Sequence, residues 1–468
     1  MPTAGYLLIE NTGEAPVEAY TLLGYSSTRN CGVEGVIGQF GSGANQSINL
    51  LLRHGIRVFV YCGKTRLEFA TEKDVVSDGL QEDTIHHVVY RIGNKAWNRT
   101  GVTLDYGVLD WDNVGMGIRE FVSNAIDRTL REGGFDKNHL SVKIVDDKDR
   151  RAKAGTTRVY IGLDDEVREY FGQLGKRFLH FSNDPETAKP GILRKAGRDP
   201  NGGDGAVIYR EGVYVRTMRG KSLFDYNFSK DEIRIDECRN SSSYYIEKAI
   251  ACKLGNADAT ILAEVFRSVT DGEETLEGSL NQDYIFGDYT SPPTETQSEV
   301  WARAWEASAG CDAVVCQDKF SADYVEKKGY KPKAVGQWAK SLQKAGVKSA
   351  DSVLNADEKA GRTILPPTKD AEKAVQWAWE VFSAAGLVGE HTIPTVNCFR
   401  EISKAGCINS GFYKDGQVYI NLDIANDGQN KELLKTALEE VAHYITGATD
   451  NSRDFQNFFI DTIISIAS

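Results

Sequence analysis

The chain has 468 residues, 41% of them hydrophobic, and a net charge of −12. That length accommodates several domains with cores of their own, and the acidic balance argues against general binding to a nucleic-acid backbone. Eight scattered cysteines without a C-x-x-C pair exclude a zinc ribbon or thioredoxin motif and suit a reducing cytosol.

The N-terminus has neither the basic nor the apolar region of a signal peptide, and no apolar run approaches the roughly 18 residues of a membrane span, so a cytoplasmic protein is expected. Residues 6–10 read as a buried strand running into the turn cluster NTGEAP. A short helix at 17–25 and a polar loop follow. Gly38, Gly41 and Gly43 then crowd together ahead of an apolar helical run. Glycines let a backbone approach a ligand closely, and a helix start offers free N–H groups to an anion. No Lys-Ser or Lys-Thr pair makes this a Walker loop. By itself the stretch reads more readily as a plain tight turn.

Runs at 57–62, 66–70 and 85–92 read as successive antiparallel strands. A helix over 114–132 sets Ile118, Phe121, Val122, Ala125, Ile126 and Leu130 on one face and Glu120, Asn124 and Asp127 on another. Alone, that polar stripe is also what a solvated face looks like. Strands at 140–145 and 156–163 follow, then a helix from 165 and a long loop over 186–206. A hairpin about Glu211-Gly212, a strand region at 222–237 and a helix near 242–269 come next. Residues 298–357 read as helical, with Trp301, Trp305 and Trp338 in packing roles, and 361–370 as a linker. The last domain combines a helix at 371–386, a hairpin at 411–422, a helix at about 430–446 and a buried terminal helix.

Four stretches belong together: Asn11-x-Gly13-x-Ala15, Gly38-x-Phe40-Gly41-Ser42-Gly43, Glu120-x-x-x-Asn124-x-x-Asp127 and Gly155-Thr156-Thr157. They resemble the motifs of the GHKL ATPases (gyrase, Hsp90, histidine kinase, MutL), which hold ATP in a Bergerat fold. The Glu–Asn helix follows the glycine loop instead of preceding it, which implies a circularly permuted sheet. The arrangement is most similar to phage-encoded GHKL proteins of the rapid-lysis protector A group. The resemblance implies an α+β fold with a Bergerat-type domain at 1–185, an S5-like domain at 186–290, a helical region at 291–360 and a C-terminal domain at 361–468. It implies Glu120 as general base and Asn124 as a Mg²⁺ ligand, with ATP phosphates on the N–H groups of Gly41, Ser42, Gly43 and Ala44. Asn11, Gly13, Ala15, Gly38, Asp127 and Thr156 complete the nucleotide pocket, and residues 21–36 form a lid. Asn11 stands where the family has an adenine-binding Asp; its amide oxygen is a weaker acceptor. Lys221, or Arg239, could reach the terminal phosphate from the second domain, and no spacing fixes the choice.

Glu439, Glu440 and His443 on the late helix resemble the H-E-x-x-H of zincin proteases, with Glu439 in place of the first histidine. A set of Glu439, His443 and Asp450 halves the imidazole share that zinc favours, so a degenerate zincin-like domain is expected and zinc is not. The implied function is ATP binding with Mg-dependent hydrolysis driving a lid and domain switch. The phage resemblance adds a role against a host defence, with a host or phage protein as partner and homo-oligomers open. The alternatives are a metallopeptidase regulated by its nucleotide domain and a catalytically silent nucleotide sensor.

Overall fold

The computed structural model describes residues 5–25, 32–38, 41–77, 79, 81–106, 111–132, 134, 136, 138–288, 290–354, 362–401, 409–426, 431–449 and 452–467. The fold is mixed α+β with four sheets among the described residues, and the chain divides into two compact units, 1–308 and 309–468. Among the described residues no helix is long and apolar enough to cross a membrane.

The first unit is built on a seven-stranded antiparallel sheet of β1 (Gly5–Thr12), β2 (Val58–Cys62), β3 (Thr65–Ser77), β4 (Glu82–Ile92), β5 (Asn98–Thr103), β6 (Leu140–Asp146) and β7 (Thr156–Gly162), in the order β5-β4-β3-β2-β7-β1-β6. β1 alternates cleanly. Leu7 and Ile9 face the helices, and Tyr6 and Leu8 pack with Phe59, Tyr61 and Tyr160 on the other face. α1 (Glu18–Thr21) is a single turn in place of the longer helix expected at 17–25. α2 (Gly43–Arg53) and α3 (Val114–Arg131) lie together on the Leu7–Ile9 face. They approach closely at Gly117, where a Cβ would stand 3.4 Å from Leu51 Cγ. Asn113 caps α3 by accepting from Gly115 N at 2.8 Å.

β3 and β4 stay in register from Leu67–Ile92 to Ser77–Glu82. Beyond Phe69 and Val88 nearly all their side chains are exposed or half-exposed, and Arg99 bridges Glu72 and Asp74 on this ribbon.

After α4 (Asp165–Gly172) and the turn α5 (Leu174–Arg177) comes a four-stranded sheet, order β10-β9-β11-β8. β8 (Gly191–Arg194) lies inside the stretch expected to be loop. β9 (Val207–Arg210) and β10 (Val213–Thr217) form the expected hairpin, with Glu211 and Gly212 both at positive φ, 49° and 71°. β11 (Phe224–Phe228) is the only strand in 222–237; residues 229–241 form an irregular strap. The helix expected at 242–269 is two, α6 (Ser243–Gly255) and α7 (Ala259–Thr270), the second capped by Asp258. α8 (Glu295–Ala309) buries Trp301 and Trp305 against Phe266.

The second unit corrects the reading of 298–357 as all-helical. β12 (Ala313–Cys316) and β13 (Lys331–Ala334) pair in parallel, joined by a helix at Lys319–Lys327. Such short strands leave no room for a periodic signal. A further sheet, order β14-β15-β17-β16, comprises β14 (Arg362–Leu365) within the supposed linker, β15 (Thr395–Glu401), β16 (Gly411–Lys414) and β17 (Gln417–Asn421). The helices Lys369–Ala384 and Lys431–Thr446 share its core. The terminal helix Arg453–Ala467 is not buried as expected. Only Phe455 and Thr462 are, and Ile460, Ile463, Ile464 and Ile466 are more than half exposed.

Candidate functional site

Three backbone pieces meet above the first sheet. β1 and β7 pair Asn11 with Thr157. Thr157 Oγ1 donates to Gly13 O and accepts from Ala15 N, both at 2.8 Å, so it closes the turn that leaves the strand. Gly13 needs its φ of +87°, and a Cβ there would meet Arg128 and Glu132. The second piece is the glycine loop. Asp127 accepts from Ile37 N at 2.7 Å and Gly38 N at 2.8 Å, fixing the loop's approach to α3. Gly41 takes φ +80°, and Ser42 leads into α2 without capping it. The third piece is α3, whose Glu120 lies against the start of α2: a Cβ on Gly43 would be 2.7 Å from Glu120 Oε2.

These pieces enclose a cavity of about 220 Å³. Ile9, Ala15, Pro16, Tyr20, Phe121 and Val159 give it an apolar wall, while Gly41, Ser42, Gly43, Ala44, Glu120 and Asn124 form a polar one. α3 runs from Glu120, beside the glycine loop, to Arg128, beside Gly13, a rise of about 12 Å at 1.5 Å per residue.

Glu120 is buried between two arginines. Arg239 donates through Nε at 2.8 Å and Nη2 at 3.2 Å, and Arg119 Nε lies at 3.2 Å. Burial pushes the carboxyl up, but Arg239 and Arg119 outweigh it and hold the group below its ordinary range. Asp127 forms no ion pair among the described residues, although the charge of Arg239 acts on it too. Its burial pushes the carboxyl to about 6 despite the two backbone donors. Asn124 is exposed on the cavity side of α3, and no hydrogen bond engages its side chain among the described residues.

Arg239 and Glu237 arrive on the strap 229–241. Asp236 and Asn240 close a tight turn: Asp236 N donates to Asn240 O, and Asn240 N to Asp236 Oδ1 at 2.7 Å. Inside it Arg239 holds φ +65°, left-handed backbone that costs a non-glycine residue about 1–3 kcal/mol and is retained here by its ion pair. Glu237 accepts a hydrogen bond from Ser42 Oγ.

Of the residues singled out from sequence, Asn11, Ala15, Gly38, Gly41, Ser42, Gly43, Ala44, Glu120, Asn124, Asp127 and Arg239 line the cavity. Gly13 shapes it without lining it. Thr156 does not line it: neighbours on a strand face opposite ways, so Thr157 faces in while Thr156 bonds Lys153 O. Lys221 is also outside, on the surface, paired with Glu273 at 2.9 Å. The expected motif residue Phe40 and lid residues 26–31 lie outside the described residues. Glu237 had no signal in spacing or composition. Arg128 and Arg131, which also line the cavity, continue the Glu120–Asn124–Asp127 face and were legible by helical period.

The late-helix residues do not converge. Glu439 pairs with Lys435 at 3.7 Å, and His443 Nδ1 lies 2.6 Å from Ala448 O with its ring stacked on Phe455. Asp450 lies outside the described residues. Among the described residues no three His, Cys, Asp or Glu side chains are grouped to hold a metal. No protein-family model matches this chain, and no curated protein matches it.

Proposed function

We propose that the first unit binds ATP with Mg²⁺ and hydrolyses it, as a permuted GHKL module with a Bergerat-type site. The observation that carries this reading is that the carboxylate of Glu120 and the open first turn of α2 meet at Gly43 within one cavity. Uncapped N–H groups at a helix start favour phosphate oxygens through their donors and the dipole. Asn11 donates its amide N–H to Thr12 O at 2.7 Å, which leaves Oδ1 to accept from an adenine amino group between apolar walls.

The residues also fit a phosphate-bound Mg²⁺. Asn124 offers an uncommitted side-chain oxygen, and this ion is commonly held by one or two protein ligands, water and phosphate. When bound, Mg²⁺ supplies charge neutralisation on the phosphates. Glu120 orients the attacking water and takes its proton once Arg239 releases the carboxylate; Arg239 is then free to face the phosphate charge. The S5-like reading of the second sheet makes the strap the link between nucleotide and second domain. The resemblance to phage-encoded proteins suggests that this switch serves against a host defence.

Thermal shift and phosphate release test the reading. Mg-ATP is expected to raise the wild-type Tm by mass action, and Asn124→Ala to abolish the shift. Glu120→Gln keeps binding and lowers phosphate release about 100-fold or more. A wild type that is not shifted by millimolar Mg-ATP overturns it.

A further inference from the structure

Ser42 is the residue from which α2 starts, yet its hydroxyl caps nothing; it is spent on Glu237. A carboxylate thereby bonds to the residue that opens α2, at the positive end of that helix. Glu237 is held there by construction. The Asp236–Asn240 turn fixes its backbone, and two residues on, Arg239 is tied to Glu120. The cavity this leaves, about 220 Å³, is smaller than the roughly 300–1,000 Å³ of typical ligand sites. Glu237 is otherwise exposed, so its departure uncovers no apolar surface.

We propose that Glu237 is an acidic stopper on the glycine loop: it occupies the anion position at the start of α2 and is displaced by the phosphates of the ligand. The inference rests on the nucleotide reading above and adds regulation to it. Ligand and Glu237 compete for Ser42 and the same helix end. The strap joins β11 to α6 in the chain, so displacement of Glu237 carries ligand occupancy towards the second sheet.

The competition is between negative charges, so its relief scales with ligand charge. In the full-length chain, Glu237→Gln and Glu237→Ala are expected to tighten Mg-ATP binding about tenfold by calorimetry, as loss of one charge-assisted hydrogen bond implies. The gain shrinks with ADP and vanishes with AMP. Both variants keep the wild-type Tm without ligand to within a few degrees. Wild-type binding of ATP with equal or weaker binding by both variants overturns the stopper alone. Equal gains for ATP and AMP also overturn it, since they point to a widened cavity and not to anion competition. Absence of nucleotide binding in all three proteins overturns the stopper and the nucleotide reading together.

Discussion

Glu120 and Arg239 meet from positions 119 residues apart in the chain, and with no ligand bound each offsets much of the other's buried charge, alongside Arg119. A buried carboxylate stripped of its guanidinium leaves an uncompensated charge, typically worth about 3–5 kcal/mol. Arg239→Ala is therefore expected to destabilise the protein by about that amount in urea unfolding, and Glu120→Ala by a comparable amount. The double variant should lose far less than the sum, because each single change leaves a charge stranded. Additive losses would mean that the pair is not a coupled unit. At this scale the sequence was half legible. Glu120 and Asn124 declare themselves by sharing a helix face with Asp127, but nothing local ties them to Arg239. That contact depends on a turn that places a non-glycine residue at φ +65°, a conformation that residue identity disfavours.

Among the elements, the glycine loop owes its course to Asp127. The carboxyl rises to about 6 from an ordinary 3.8. The folded state thus holds its proton more tightly, and this contribution to stability is complete below pH 3.8 and lost as pH rises through 6. Between pH 4 and 7.5 the wild type should lose about 2 kcal/mol relative to Asp127→Asn, measured by denaturant unfolding across that range. Glu120 shifts the other way, but it is present in both proteins and cancels. A difference that is flat with pH would show that Asp127 titrates normally. Elements of this kind were readable where a long period exists: α2, α3 and the helix Lys431–Thr446 follow their apolar faces. β8, β12, β13 and β14 have four residues each, too few for alternation to stand out from a loop. The motif marks Thr156 by its place on the strand, whereas the pleat turns Thr157 towards the cavity.

At the scale of the whole molecule, the cavity and every residue that lines it fall within the unit 1–308. A fragment ending at Ser308 is expected to unfold cooperatively and to retain the Mg-ATP shift of the full chain. A fragment that folds but has lost the shift would assign part of the site to 309–468. The glycine loop and the Glu120 helix were legible early in the chain, but the strap's return to the glycine loop is a tertiary fact.

The β3–β4 ribbon carries a separate consequence. Past Phe69 and Val88 it buries little apolar surface, Val75 and Val76 staying about half exposed, so main-chain bonds and the bridges of Arg99 to Glu72 and Asp74 hold it. Exposed ion pairs weaken as the Debye length contracts to about 3 Å at 1 M salt. The outer ribbon therefore responds to ionic strength, while the hydrophobic layer beneath the same two strands does not. One hairpin is thus ordered by two different forces along its length.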